Sequence, residues 1–427
     1  MTAFDLSVQF FLQMAAILGT CRVAGALFAR LGQPPVVSEM IAGVLLGPSV
    51  LGWALPGLSA ALFPAASRPI LFSVAQLGLV LYMFLVGAEF DVGLIRSRVR
   101  GAAAVSLAGI VTPFVLGGAL GLAWAGHHEL FAAKTTPAQA MLFMGAAISI
   151  TAFPMLARIV REQGLSRTSL GTLALAAGSL DDVAAWCALA LVLASFQNDV
   201  GIAVRAIGGG VAFALVVLLV VRPMLAPLNR QVERDGELSQ GTLALLLMLV
   251  MLGAWFTDAM QIYAVFGAFI VGVAMPRGAL TQALQRTLHP LVTALLLPVF
   301  FVYSGLNTKI GLLDSLQLWM VAGVVLLAAV LGKGVACYAA ARIAGESRRD
   351  AMALGTLMNA RGLMELIILN IGLQNGIITP ALFAIMVVMA IVTTLMATPI
   401  FKRVFVREAQ DSPSLAGEIQ AAMPGTT

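Results

Sequence analysis

Asp181 and Asp182 stand side by side inside residues 168–195, an apolar stretch long enough to cross a bilayer. A carboxylate at that depth costs about 2.5–3.5 kcal/mol on insertion scales, so a purely structural segment does not carry two. Such a pair offers reversible binding of a proton or a small cation. Successive helical residues point about 100° apart, so one aspartate can meet a neighbouring helix while the other faces a cavity. Lys333 is the matching anomaly. It lies in the apolar run 321–334, too deep to snorkel to the interface, and Gly332 and Gly334 beside it leave room for a partner helix. A buried ammonium needs a carboxylate, and the nearest in depth are Asp181 and Asp182. A site of this kind takes up either a proton or a dehydrated monovalent cation. Either one neutralises it, a neutral site crosses the membrane readily, and an empty charged one does not. That rule gives obligatory antiport.

Two further stretches carry polar groups at membrane depth. Ser149, Thr151 and Pro154 fall in one, and the proline leaves the carbonyl four residues back without its helical partner. Gly355 to Gly362 form the other, with Asn359 and Arg361 inside it. Both are expected to be unwound, with Ser149, Thr151 and Asn359 as oxygens at the site or their supports. Arg361 and Glu365 are four apart, so they share a helical face and form a structural ion pair. Glu39 and Glu89 fall at segment ends and are read as interfacial, and Arg22 as a pairing or snorkelling residue. His127, His128 and His289 have no metal-ligand spacing. No metal beyond the transported ion, and no cofactor, is expected.

The elements that must position these residues follow from composition. The 427-residue chain is 60% hydrophobic and 11% charged, with a net charge of +5 and a mean hydropathy of +0.98; soluble domains carry about 25% charged residues. It reads as an all-α polytopic membrane protein, with no nucleic-acid partner. Cys21, Cys187 and Cys337 sit in apolar segments and form no disulfide framework. At about 20 apolar residues per crossing, thirteen segments are expected, centred on 7–29, 34–52, 70–90, 101–125, 138–160, 168–196, 201–221, 240–257, 261–276, 290–306, 317–341, 350–373 and 380–401. Arg96, Arg98, Arg100, Arg342, Arg348, Arg349, Lys402 and Arg403 all follow odd-numbered segments. The positive-inside rule then puts the N-terminus outside and the C-terminus in the cytoplasm. The stretch 408–427 is polar and is expected to be a short disordered tail.

Thirteen segments permit two inverted halves of six around a linker helix at about 201–221. Inverted repeats place substrate at interrupted helices in matching positions of the two halves. The polar stretches of segments five and twelve have that offset.

The motifs in order are Pro34-Pro35-Val36-Val37-Ser38-Glu39, Gly43 to Pro48, Phe84-Leu85-Val86-Gly87-Ala88-Glu89, Thr151-Ala152-Phe153-Pro154, Asp181-Asp182 and Asn359-Ala360-Arg361-Gly362-Leu363-Met364-Glu365. Over nearly the whole chain they resemble the monovalent cation:proton antiporter family two, within the sodium/proton exchanger superfamily. The resemblance implies a homodimer of thirteen-helix subunits, with crossed discontinuous helices at the site. In it, residues 1–407 form the exchanger domain, with scaffold helices at about 7–90 and 240–306 and a moving core at about 101–196 and 317–401. The acid pair with a lysine is similar to electrogenic Nha-type sodium/proton antiporters. There Asp182 would bind cation or proton, Asp181 would pair with Lys333, and two protons would move per sodium. The Thr-Ala-Phe-Pro stretch is closer to Kef-type potassium systems and plant cation/proton exchangers.

The expected function is exchange of a monovalent cation, sodium or potassium, for protons across a bacterial inner membrane. A sodium-coupled symporter of an organic anion is the alternative, since related architectures host it. An intramembrane aspartyl protease is a remote one, because its two carboxylates must converge from different helices.

Overall fold

A computed structural model of the chain describes residues 2–30, 33, 35–90, 92–165, 168–197, 200–260, 263–306 and 310–409. Pro34, the first residue of the expected segment-two motif, and residues 410–427 of the expected tail lie outside the described residues. Every element of ten residues or more among those described is a helix. In chain order the helices are α1 Ala3–Ala29, α2 Pro35–Leu46, α3 Arg68–Glu89, α4 Val92–Trp124, α5 Pro137–Ser149, α6 Phe153–Glu162, α7 Ser169–Gln197, α8 Val200–Val216 and α9 Arg222–Asp235. There follow α10 Gln240–Ala259, α11 Ala264–Val273, α12 Ala279–Leu291, α13 Leu297–Leu306, α14 Leu316–Ile343, α15 Arg348–Leu357, α16 Leu363–Gln374 and α17 Pro380–Ala409. Nine helical stretches among the described residues are long and apolar enough to cross a membrane. In lipid the backbone must satisfy its own hydrogen bonds, which helices do within one segment.

Three boundaries differ from the sequence expectation. The expected linker at 201–221 does not stop at Val221. It runs through a π-helical turn, Val217–Val221, into α9 and ends at Gly236, whose φ of 76° closes the helix in the left-handed region. The basic residues Arg222, Arg230 and Arg234 are therefore helical, not loop. Charge reads as loop in a hydropathy scan, although an amphipathic helix carries it equally well. The tenth expected segment likewise begins earlier, at Ala279, and passes through a second π-turn, Val292–Leu296, between Pro290 and Pro298. The last helix extends to Ala409, past the expected start of the tail.

The chain divides into two compact units. The first comprises Met1–Gly25, Glu39–Asp91 and Leu193–Thr308. Its helices meet through glycines, as close backbone packing in membranes requires. A Cβ on Gly305 of α13 would lie 2.1 Å from the backbone carbon of Gly43 on α2. One on Gly267 of α11 would lie 2.1 Å from the carbonyl oxygen of Gly253 on α10.

The second unit comprises Ala26–Ser38, Val92–Val192 and Lys309–Thr427. Here α4 packs along α5 and α14, and α14 along α15 and α17. Two of its spans are interrupted. The first stops at Ser149 and resumes at Phe153; the second stops at Leu357 and resumes at Leu363. The loops beyond these spans are stitched together by Ala132 N–H to Ile377 O at 3.1 Å and Thr379 N–H to Leu130 O at 3.0 Å.

Candidate functional site

The site is built around the two interruptions, which touch. The amide of Ala152 in the first donates to the carbonyl of Ala360 in the second at 3.3 Å. Helix ends leave carbonyls and amides without internal partners, and buried ones must find them elsewhere. Arg361 supplies several. Its guanidinium donates to the carbonyls of Ile148 at 2.6 Å and of Ala147 and Ile150 at 3.3 Å each. Ile150 is the residue whose carbonyl Pro154 cannot pair. A cation thus caps the C-terminal end of α5, where the helix dipole favours positive charge.

Gly362 follows in extended backbone, φ 175°, and α16 starts at Leu363. Arg361 is therefore not on a helix, which corrects the expectation of a pair along one helical face. The pair forms nonetheless, with Nη1 3.4 Å from Glu365 Oε1 and both side chains buried. Glu365 sits in the first turn of α16, where the dipole favours an anion. The structural pair is in fact a clamp on the opposed ends of two half-helices.

Asp181 is held by three donors. Ser106 on α4 donates to Oδ1 at 2.6 Å, Thr151 in the first interruption donates to Oδ2 at 2.6 Å, and Lys333 Nζ lies 3.0 Å from Oδ2. Asp181 and Lys333 are 1% and 0% exposed, so the pair is shielded from solvent screening. Lys333 also donates to the backbone carbonyl of Ser149. Room for this comes from three glycines. Gly109 on α4 faces Lys333 and Asp181, Gly332 faces Pro113 and Leu116, and Gly334 faces Asn359 and Gly355. Asp182 is buried one position further along α7, at 3% exposure.

The remaining expected residues are placed less directly. The Ser149 hydroxyl turns back to the Ala146 carbonyl at 3.0 Å, so Ser149 meets the charged pair through its backbone and not its side chain. Asn359 donates from Nδ2 to the carbonyls of Gly355 at 3.1 Å and Val330 at 3.4 Å, while its buried Oδ1 has no hydrogen-bond partner. Pro154 is the second residue of α6, a position that needs no amide donor. Glu39 is buried, at 8% exposure. Ser106 was not foreseen, since a serine in an apolar helix carries no mark that separates packing from hydrogen bonding. Thr394, which accepts from the Arg361 amide at 3.3 Å and donates to its carbonyl at 2.9 Å, was missed for the same reason.

The arrangement sets a buried lysine–aspartate pair, Lys333 and Asp181, directly beside a second buried acid, Asp182. The model of the family "Sodium/hydrogen exchanger, transmembrane" matches residues 15–407. The Na(+)/H(+) antiporter NhaS4 of Synechocystis is 41% identical over 91% of this chain and 95% of its own length. Cation/H(+) antiporter 20 of Arabidopsis thaliana is 37% identical over 93% of the chain, which spans about half of that protein, 48%. The sodium proton antiporter MjNhaP1 of Methanocaldococcus jannaschii has a similar fold, with a TM-score of 0.64, 14% identity and coverage of 94% and 99% of the two chains. With a family model across nearly its whole length, and a relative of matching length and substantial identity, the chain belongs to the sodium/hydrogen exchanger family of membrane transporters.

Proposed function

We propose that the protein is a secondary antiporter that exchanges sodium or potassium for protons at Asp182, with Asp181 and Lys333 as a coupled charge pair. Its family and the antiporter names of its relatives support this reading. The observation that carries the site assignment is the ion pair of Lys333 and Asp181, 3.0 Å and fully buried, directly beside a second buried acid. In a low-dielectric interior a cation arriving at the acids competes strongly with the ammonium for Asp181. Binding is then coupled to rearrangement of Lys333, which the carbonyl of Ser149 already holds alongside Asp181. Thr151 and Ser106 keep Asp181 oriented through that exchange.

The two interrupted spans support an arrangement of thirteen crossings in two inverted repeats. Interrupted helices with opposed ends are the feature such repeats use to bind an ion. Alternating access is assigned to movement of the expected core helices, about 101–196 and 317–401. The cytoplasmic C-terminus, the bacterial inner membrane and a homodimeric assembly complete the reading, the first from the positive charges on alternate loops and the last from the family resemblance.

Purified protein in proteoliposomes with a trapped pH dye tests this. A sodium or potassium pulse, with the voltage collapsed by a permeant anion, is expected to drive protons the opposite way. Asp182→Asn should abolish that signal while leaving the melting temperature near wild type. Unchanged exchange in the variant would remove Asp182 from the site. An inert wild type across the neutral and alkaline range would refute antiport and direct the search to an organic co-substrate.

A further inference from the structure

A groove of about 470 Å³ runs along the second unit between α14, α15 and α17. Its deep end is Asn359 and Val330, beside the second interruption, and its mouth is Arg348, the first residue of α15. The ten residues of α15 rise about 15 Å, half of a hydrocarbon core of about 30 Å. The groove is thus about as long as one leaflet is deep. Its walls are mostly apolar, and Leu331, Val335 and Met396 on its rim are exposed, at 55%, 58% and 37%. In a membrane transporter, such side chains face lipid.

The mouth carries charge. Arg348 is exposed and makes no ion pair or hydrogen bond among the described residues. On α17, Met396 and Ile400 line the groove, and Arg403, three residues on, continues that stripe. Arg403 is exposed as well. Two exposed guanidinium groups at one end of an apolar slot about one leaflet long match an anionic headgroup over an acyl chain, because guanidinium groups bind phosphate in a bidentate fashion.

We propose that this groove binds one anionic phospholipid, with its phosphate on Arg348 and Arg403 and an acyl chain in the slot against Asn359. The site does not depend on how the ion is carried, and its test reads lipid binding instead of transport. The full-length protein is exchanged into mild detergent, and intact-protein mass spectrometry counts retained lipid. Melting is then followed with phosphatidylglycerol, phosphatidylcholine or inorganic phosphate added.

Phosphatidylglycerol is expected to remain bound and to raise the melting temperature by about 2–4 °C, with phosphatidylcholine giving less than half of that. The double variant R348Q and R403Q should lose the preference for phosphatidylglycerol. Val335→Trp, which fills the slot from an exposed position, should lose the response to either lipid. Equal responses of wild type and the double variant would overturn the proposal. So would equal responses to the two lipids, or a wild type that retains no lipid. A shift with inorganic phosphate equal to that with phosphatidylglycerol would make the mouth a free-anion site and overturn it too.

Discussion

Arg361 donates to the carbonyl oxygen of Ile148 at 2.6 Å, so a side chain from one interrupted helix completes the backbone of the other. The guanidinium serves two ends at once, because Nη1, which donates to the carbonyls of Ala147 and Ile150, also donates to Glu365 in the first turn of α16. Removing a buried charge leaves its partner uncompensated and costs about 3–5 kcal/mol. Arg361→Leu strands both Glu365 and the carbonyls of α5, whereas Glu365→Gln keeps the carbonyl bonds. Arg361→Leu should therefore melt well below Glu365→Gln in detergent-solubilised protein. The reverse order would show that the carbonyl contacts contribute little.

The same logic applies to Lys333 and Asp181, with a different readout. Either Lys333→Ala or Asp181→Asn alone leaves a buried charge and should destabilise by about 3–5 kcal/mol. Asp181→Asn combined with Lys333→Ala removes both charges and should recover part of the loss, a coupling that a double-mutant cycle measures. The voltage dependence of exchange should change in the single variants more than cation affinity does. Additive melting shifts, with unaltered voltage dependence, would dissolve the pair.

Hydroxyl groups near the site should divide sharply. Thr151→Val and Ser106→Ala each delete a hydrogen bond to a carboxylate, worth about 1.5–3 kcal/mol, and should impair transport. Ser149→Ala deletes only a bond to the preceding turn and should be nearly silent, within about 0.5 kcal/mol. Transport initial rates and melting curves of the three variants decide this, and a severe Ser149→Ala phenotype would contradict the backbone role given to that residue.

If a proton and a cation share Asp182, acid must weaken cation binding, since the liganding form is the deprotonated one. The sign is fixed: lowering pH raises the KM for the cation, approaching a tenfold rise per pH unit once the acid is mostly protonated. A KM independent of pH, measured by proton flux at several cation concentrations, would exclude a shared site.

In the first unit, packing gives a control experiment. Gly305→Ala would press its new methyl against the backbone of Gly43 and should cost about 1–3 kcal/mol or more. Gly323→Ala, on α14 of the second unit, meets nothing within 4 Å and should be neutral, or stabilising by up to about 1 kcal/mol. Indistinguishable melting temperatures would mean that the contact yields without strain.

How much of this was legible in the sequence depended on cost. Asp181, Asp182 and Lys333 announce themselves because charge in an apolar segment is expensive, and that expense also marked Lys333 as a partner for the acids. The interruptions could be read because proline and glycine have backbone signatures. The task of Arg361 could not be read, because its partners are carbonyls and every residue has one. Ser106 and Thr394 were hidden among serines and threonines that pack helices. The continuation of the 201–221 helix into α9 was obscured by Arg222, Arg230 and Arg234, which suit a loop and an amphipathic helix alike.

The hydrogen bond from Ala152 to Ala360 joins two stretches of chain that belong to no helix. A bond between two gaps works as a rivet. Neither half-helix pair can slide along its axis without pulling on the other, so a tug on one span is felt at once in its crossing partner. The two interruptions therefore keep step, and a change that loosens one should soften both.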